Sequence, residues 1–335
     1  MHLPDSKKFA IARTESLFKT VQDRRGLRLA IVLGNEAPHG ICPYAMRDNC
    51  HHCDIGLGEG VCFDAAKNLS RFGWLQNYYA SVWPRLNHLV VYSSGSVLNP
   101  LELTPAVLTA VLDFARSLPK LRLVSLESRE SFVRPSVISR VAATLGGERE
   151  LRIIIGLESA DDTVRNQVLR KNMSRAGIER AVRNIATVRQ TALASHDNAI
   201  ALPGVAMNVI IGCPGTSAAT SVMDAVQTAI YSVTLAETYS IPVDLNLHPY
   251  YPSKRGTARF ANHSRPSVES TLEAVSSIAQ SVGDRAVIFI GLEDEGHDQN
   301  PSGRAEYFAR IVQATDYFNR TGQSDIFRQV SSASA

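Results

Sequence analysis

The chain has 335 residues, 44% hydrophobic and 20% charged, enough apolar length to bury a core and unlike a disordered or collagen-like composition. Its 35 Lys and Arg against 32 Asp and Glu leave a formal charge of +3, too mild to mark a nucleic-acid partner without clustering. No run reaches the roughly 18 apolar residues of a membrane helix, and MHLPDSKKFAIARTES lacks a signal peptide's apolar stretch, so a cytoplasmic protein is expected.

Strand-like apolar runs alternate with helix-periodic segments along the whole chain, the pattern of a parallel sheet with crossover helices. The first predicted strand is Leu29–Leu33. A polar, cysteine-bearing loop follows, then a helix in which Phe63, Ala66, Leu69 and Phe72 recur every third position. His88–Tyr92 is the second strand. Thr104 and Pro105 open the next helix, with Val107, Val111, Phe114 and Leu118 on one face. Then come the strand Leu121–Leu126, the helix Pro135–Leu145, the strand Leu151–Ile155, the helix Ala176–Arg189 and the strand Val205–Ile211. A long helix from Ala218 to Tyr239 feeds a sixth strand, Val243–His248. A helix over Val268–Val282, a seventh run Ala286–Ile290 and an amphipathic helix from Arg304 to Phe318 complete the chain. Right-handed crossovers allow either a curled barrel or a doubly wound sheet, and both place functional residues beyond the carboxyl ends of the strands.

The loop after the first strand reads GICPYAMRDNCHHCDIG, so Cys42, Cys50 and Cys53 are spaced C-x7-C-x2-C. Three thiolates on one irregular loop suit an iron–sulfur cluster, and three ligands for four irons leave one iron open, as a catalytic site requires. The same loop also suits zinc held by the three cysteines with His51 or His52, which would make the protein a non-enzymatic α/β module. Cys62, at the start of a predicted helix, reads as structural. GLGEG over Gly56–Gly60 follows the cysteine loop rather than a strand, so it is not a dinucleotide fingerprint.

A three-cysteine loop after the first strand of a repeated βα chain resembles the radical S-adenosylmethionine (SAM) enzymes. The longer first gap is similar to the branch of the archaeosine-forming radical SAM enzymes and the elongator catalytic subunit. The resemblance covers Leu27 to Thr257 and implies an α/β fold, a partial (β/α)6 TIM-like barrel with terminal additions. On that basis the expected division is a helical extension over 1–26, the barrel over 27–257, and a strand and helix extension over 258–335 covering the barrel mouth.

The resemblance implies site roles for residues in each of these motifs. Cys42, Cys50 and Cys53 would hold a 4Fe-4S cluster whose open iron binds SAM, with His52 against the adenine. The second strand ends in YSSGSVLNP, whose small-residue turn at Ser93, Ser94 and Gly95 would let backbone approach the methionine amino group. It is also an ordinary turn sequence. The third strand ends in SLESRES, where Glu127 would hydrogen-bond SAM and Arg129 is a neighbour without an assigned role, although a surface ion pair fits these residues too. In IIIGLESADDTVRNQVLRKN, Gly156 is followed by Glu158, a candidate for the ribose hydroxyls, and Arg170, whose planar fork matches a carboxylate. Asn208 in MNVIIGCPGT stands where the porphyrin-forming branch has a polar cofactor contact.

Cys213 in the same stretch fits either a packing residue or a reactive thiol or auxiliary ligand near substrate. His248, Tyr250, Tyr251 and Lys254 follow the sixth strand and are candidates to face substrate or to cover the barrel mouth. Glu293, Asp294, Glu295, His297 and Asp298 have the composition of an acid–base site and equally of a solvated acidic turn. Cys213, Tyr250 and His297 are therefore the catalytic candidates. The resemblance implies reductive cleavage of SAM to a 5′-deoxyadenosyl radical and an electron donor of the flavodoxin or ferredoxin type. With no appended RNA-binding module, the expected substrate is a small molecule, including those of specialised metabolism, undergoing C–C or C–S bond formation or rearrangement. A tRNA base is the second substrate class, and transfer of the aminocarboxypropyl or methyl group of SAM is a further outcome.

Overall fold

The computed structural model describes residues 20–53, 62–195, 199–250, 260, 266–291 and 305–327. Among these residues eight strands form one sheet in the order of the sequence. They are β1 (Val21–Asp23), β2 (Gly26–Leu33), β3 (His88–Ser93), β4 (Leu123–Glu127), β5 (Glu150–Glu158), β6 (Leu202–Ile211), β7 (Val243–Pro249) and β8 (Val287–Ile290). β1 pairs antiparallel with β2, and all later neighbours are parallel. A doubly wound sheet needs a point where the strand order reverses, and this order never does. Right-handed crossovers that always advance in one direction leave their helices on one face and curl the other inward.

The helices are α1 (Pro43–Met46), α2 (Ala65–Tyr78), α3 (Pro105–Ser117), α4 (Pro135–Leu145), α5 (Arg175–Ala194), α6 (Ala218–Thr238), α7 (Val268–Val282) and α8 (Ala305–Thr321). Their starts follow local chemistry. Asp64 accepts from the Lys67 amide and Ser174 from the Gly177 amide, each satisfying one of the amides that a first helical turn leaves orphaned. At α3 Pro105 opens the helix as expected, whereas the Thr104 side chain makes no cap bond.

Strand residues alternate between two buried faces. Leu29, Ile31, Leu89, Val91, Ile153, Ile155, Val205 and Met207 join the large core under the helices. Ala30, Val90, Ile154 and Ala206 form a separate small cluster on the other face, and these modest side chains make a narrow middle layer inside the curl. Both faces are therefore largely buried, which is why the strands read as near-continuous apolar runs.

Two predicted boundaries change. Val21–Asp23, within the expected helical extension, is a strand. The seventh apolar run, placed in the carboxyl-terminal extension, joins the sheet parallel to β7. The Arg28 guanidinium on β2 lies 3.6 Å from the centroid of the Phe289 ring on β8, so the two ends of the parallel series meet inside the curl. Asn319 on α8 bonds both the amide and the carbonyl of Ile290 at 2.8 and 3.0 Å, which covers part of the β8 edge.

Below the apolar middle layer, the amino-terminal end is plugged by buried polar groups. Asp23 lies 2.5 Å from His88 Nδ1, and His88 Nε2 is 2.8 Å from Ser125 Oγ. Arg25 reaches Asp244 at 2.9 Å, and buried Arg152 approaches Asp244 at 3.5 Å and extends outward to the exposed Glu150 at 2.6 Å. Burial pushes the His88 imidazole below its ordinary 6.5, with Asp23 opposing. Below pH 6.5 the unfolded chain binds a proton that folded His88 refuses, so this group costs stability as the pH falls. Relative to His88→Gln, the wild type is expected to lose up to about 1.4 kcal/mol per pH unit below that point, read by urea denaturation at stepped pH. Parallel curves for the two proteins would contradict a neutral His88. Among the described residues no helix is long and apolar enough to cross a membrane.

Candidate active site

The loop after β2 carries the three cysteines, all half-buried and none in a disulfide. Cys42 precedes Pro43, which starts α1. The left-handed backbone of Asp48 and Cys50, at φ 55° each, turns the chain back over the barrel. The returning stretch is pinned by the segment after β5, since the Cys50 amide donates to the Arg170 carbonyl at 3.0 Å and the His51 amide to Leu169 at 3.1 Å. That segment is itself built by the 164–168 turn, where Arg165 donates to the carbonyls of Ser159 and Met173, and Asn166 pairs with the Met173 backbone in both directions.

Glu158 ends β5 with φ 65° and a carboxylate 2.8 Å from Lys171 Nζ, both side chains under 10% exposed. Burial alone would raise this carboxyl, and the Lys171 ammonium more than offsets it, holding Glu158 below its ordinary value. Lys171 is raised by the same pairing against the opposite pull of burial. A Cβ at Gly156 would sit 2.9 Å from Glu158 Oε1 and 3.0 Å from Lys171 Nζ, so glycine there makes room for the pair. His52 is 3.8 Å from the same carboxylate, and its imidazole is pushed down to about 3, first by burial and then by Lys171. His51 is turned to Asp48, 2.8 Å from its carbonyl and 3.1 Å from its carboxylate.

Arg170 does not join this pair. It pairs with Asp48 at 3.0 Å on a partly exposed face, whereas the neighbouring Lys171 is the buried cation. The signal that could have found Lys171 is the charged run Arg-Lys-Asn, where left-handed backbone at Arg170 and Asn172 turns successive side chains apart.

The turn after β3 brings Ser93, Ser94 and Gly95 against a buried polar nest that the sequence did not reveal. Glu102 accepts from Asn99 at 2.6 Å, from Asn35 at 3.2 Å and from the Ser96 amide at 3.2 Å, and it also meets the Cys42 thiol. A Cβ on Gly95 would collide with the Glu102 carboxylate and press on the Asn35 amide. Ser93 Oγ is buried with no hydrogen-bond partner among the described residues, so it is a polar atom open to a ligand. Burial, with Glu102 beside it, pushes the Cys42 thiol up to about 11, so binding a metal there must displace a proton.

Glu127 closes β4 half-buried, and its carbonyl accepts from the Val97 amide at 3.0 Å. Asn208 accepts from Asn246 at 3.1 Å across β6 and β7. Cys213 and Tyr250 pack with Leu169 and Ile210 in a small buried cluster, and burial raises the Cys213 thiol well above its ordinary value. Burial that raises a thiol favours its protonated form over the thiolate. Cys62, read as structural, is exposed. Tyr251, Lys254, residues 56–60 and the segment with Glu293, Asp294, Glu295, His297 and Asp298 lie outside the described residues.

Among the described residues no three His, Cys, Asp or Glu side chains converge to hold a single metal ion. A cluster carries its cysteine ligands on separate irons, and three thiols outside any disulfide, on one loop beside a buried serine hydroxyl and a glycine-cleared turn, suit it.

No family model matches the chain, and no curated protein matches it. Among solved structures, it is similar to a queuine lyase from Clostridium spiroforme bound to SAM and queuine. The match has a TM-score of 0.50 at 13% identity and covers 83% of this chain and 97% of that one. The two chains share a fold. Coproporphyrinogen III oxidase (HemN) from Escherichia coli, described as a radical SAM enzyme, matches at TM-score 0.45 and 12% identity over 85% of this chain and 56% of its own. The Elp3 of Methanocaldococcus infernus matches at 0.47 and 10% over 80% and 56%. This chain therefore spans a little over half of the latter two.

Proposed function

We propose that the protein is a radical SAM enzyme acting on a small molecule. The observation that carries this reading is the place of the three cysteine thiols, none in a disulfide, on the loop beyond the first parallel strand of a curled βα sheet, next to the glycine-cleared turn after β3 and the Glu158–Lys171 pair that Gly156 makes room for at the end of β5. The shared fold with a SAM-bound, queuine-bound lyase supports both the cofactor and a substrate of small size.

In this reading Cys42, Cys50 and Cys53 hold a 4Fe-4S cluster. When bound, that cluster supplies the electron that splits SAM into methionine and a 5′-deoxyadenosyl radical, which takes hydrogen from a substrate carbon. The protein's own work is positional. Ser93, Ser94 and Gly95 present a hydroxyl and backbone groups to the cofactor's amino end. Glu127, Asn208 and Glu158 offer acceptors along its length, with Glu158 kept ionised by Lys171. His52, held neutral, contributes a flat face without adding charge beside the thiolates. Arg170 remains a candidate for the SAM carboxylate only if its partly exposed pair with Asp48 opens. Tyr250 and Cys213 form a buried apolar wall at the ends of β6 and β7 that excludes water from a reactive carbon. His297 is retained as a candidate acid–base group, and the 258–335 extension as the cover of the barrel mouth. A flavodoxin- or ferredoxin-type donor would supply the electron.

The test is anaerobic reconstitution with iron and sulfide, followed by dithionite and SAM, reading 5′-deoxyadenosine. Its appearance is expected. A protein that instead holds one zinc and leaves SAM intact would return the loop to a structural metal site. Product mass on candidate small molecules and on tRNA then separates hydrogen abstraction from group transfer and one substrate class from the other.

A further inference from the structure

Arg129 stands where three separate stretches of chain meet. Its guanidinium lies 3.5 Å from the centroid of the Tyr44 ring, between Cys42 and Cys50 in the sequence. One terminal nitrogen is 3.6 Å from Cys50 Sγ. The other donates to the carbonyls of Lys171 at 2.6 Å and Asn172 at 3.2 Å. Its own amide donates to Ser96 Oγ at 3.2 Å, on the turn after β3. The side chain is only 10% exposed.

A surface ion pair does not account for this placement. The approach of Nε to Glu130 is 3.7 Å, and both terminal nitrogens turn away toward sulfur and carbonyls. The geometry asks for a planar cation that stacks on an aromatic face while donating in its plane in two directions, which arginine can do and lysine cannot.

We infer that Arg129 is a positioning residue for the cluster: it fixes the Cys50 sulfur and, as a cation bonded to that sulfur, sets the cluster's reduction potential. This rests on the proposed reading that Cys50 is a cluster ligand. Potentials of such clusters follow net charge, hydrogen bonds to sulfur and exposure. Reduction adds a negative charge, and a fixed, nearly buried cation beside the ligand favours the reduced form. The Lys171 and Asn172 carbonyls hold the guanidinium there and tie the setting to the segment that also carries the buried partner of Glu158.

The experiment compares wild type, Arg129→Lys and Arg129→Met after anaerobic reconstitution, measuring iron and sulfide per chain and then titrating the reduced cluster by EPR against a series of poised potentials. At equal iron content, Arg129→Met is expected to show at least a tenfold lower ratio of reduced to oxidised cluster at a fixed poise, about 59 mV for a one-electron couple. Arg129→Lys should fall between, since it keeps the charge and loses the simultaneous bonds. Loaded variants with the wild-type potential overturn the inference and leave the cluster reading standing. If Arg129→Met does not load, the potential of Arg129→Lys decides alone, a shift supporting the inference and its absence overturning it. A wild type that takes up no iron and sulfide removes the cluster reading and this inference with it.

Discussion

Replacing Lys171 by methionine is expected to destabilise the fold by about 3–5 kcal/mol, the cost of stranding one member of a buried ion pair. Both side chains are nearly inaccessible, the carboxylate is 2.8 Å from the ammonium, and the next basic group to Glu158 is His52 at 3.8 Å, already held neutral. Glu158→Gln in the same background should recover much of the loss, because it removes the stranded charge and leaves an amide that asks far less of its surroundings. Urea denaturation of the two single variants and the double variant measures the coupling directly. Additive losses would show that the pair is not the source of the effect.

The same pair gives a pH signature. Glu158 is held below its ordinary 4.5, so its contribution is present above that value and is lost as the pH falls through the lower folded value. Lys171 is held above 10.5, so its contribution is present below that value and is lost as the pH rises through the higher folded value. Between roughly pH 5 and 10 the pair contributes a constant amount. In Lys171→Met burial becomes the largest influence on Glu158, opposed by His52 and His248, so its carboxyl is expected to rise and the folded state to take up a proton that the unfolded state does not. Stability attributable to Glu158 then increases as the pH falls toward 5, opposite in sign to the wild type.

Cys50→Ala is expected to abolish retention of iron and sulfide and to bring 5′-deoxyadenosine formation down to background. Cys50 is tied to the rest of the site through both its amide and its sulfur, so its loss is expected to remove a ligand and empty the place to which Arg129 points. Cys62→Ala is the matched control. Its thiol is exposed and among the described residues reaches the Phe63 carbonyl, at 3.7 Å, and full iron content is expected. Equal loss in both variants would place the metal elsewhere.

Much of the barrel was legible because its strands are buried on both faces. Runs such as Ile153–Ile155 and Val205–Ile211 stand out against amphipathic helices, and a strand followed by a proline-started helix repeats at α3 and α4. β1 was missed because three residues reading Val-Gln-Asp give no period, and their strand state comes from pairing with β2. The cysteine loop was legible from donor type and spacing. What surrounds it was not, because it depends on which neighbour of a charged run faces inward. Arg170 was the expected cation and Lys171 is the buried one, a difference set by two left-handed residues that leave no mark in composition. Glu102 and Asn35 escaped for a related reason. They lie on different βα loops, 67 positions apart, and only the curl of the sheet joins them.

The backbone bonds that pin the cysteine loop run from Cys50 and His51 to Arg170 and Leu169, more than a hundred positions downstream. A chain emerging from the ribosome therefore presents its thiols long before the segment that will hold them exists. Contacts of such high sequence separation form late, after the intervening strands have found their neighbours. Through that interval the three thiols stay open to oxidation and to stray metals, so order of assembly sets when the loop acquires its final shape: only after β5 has docked and the 164–168 turn has closed.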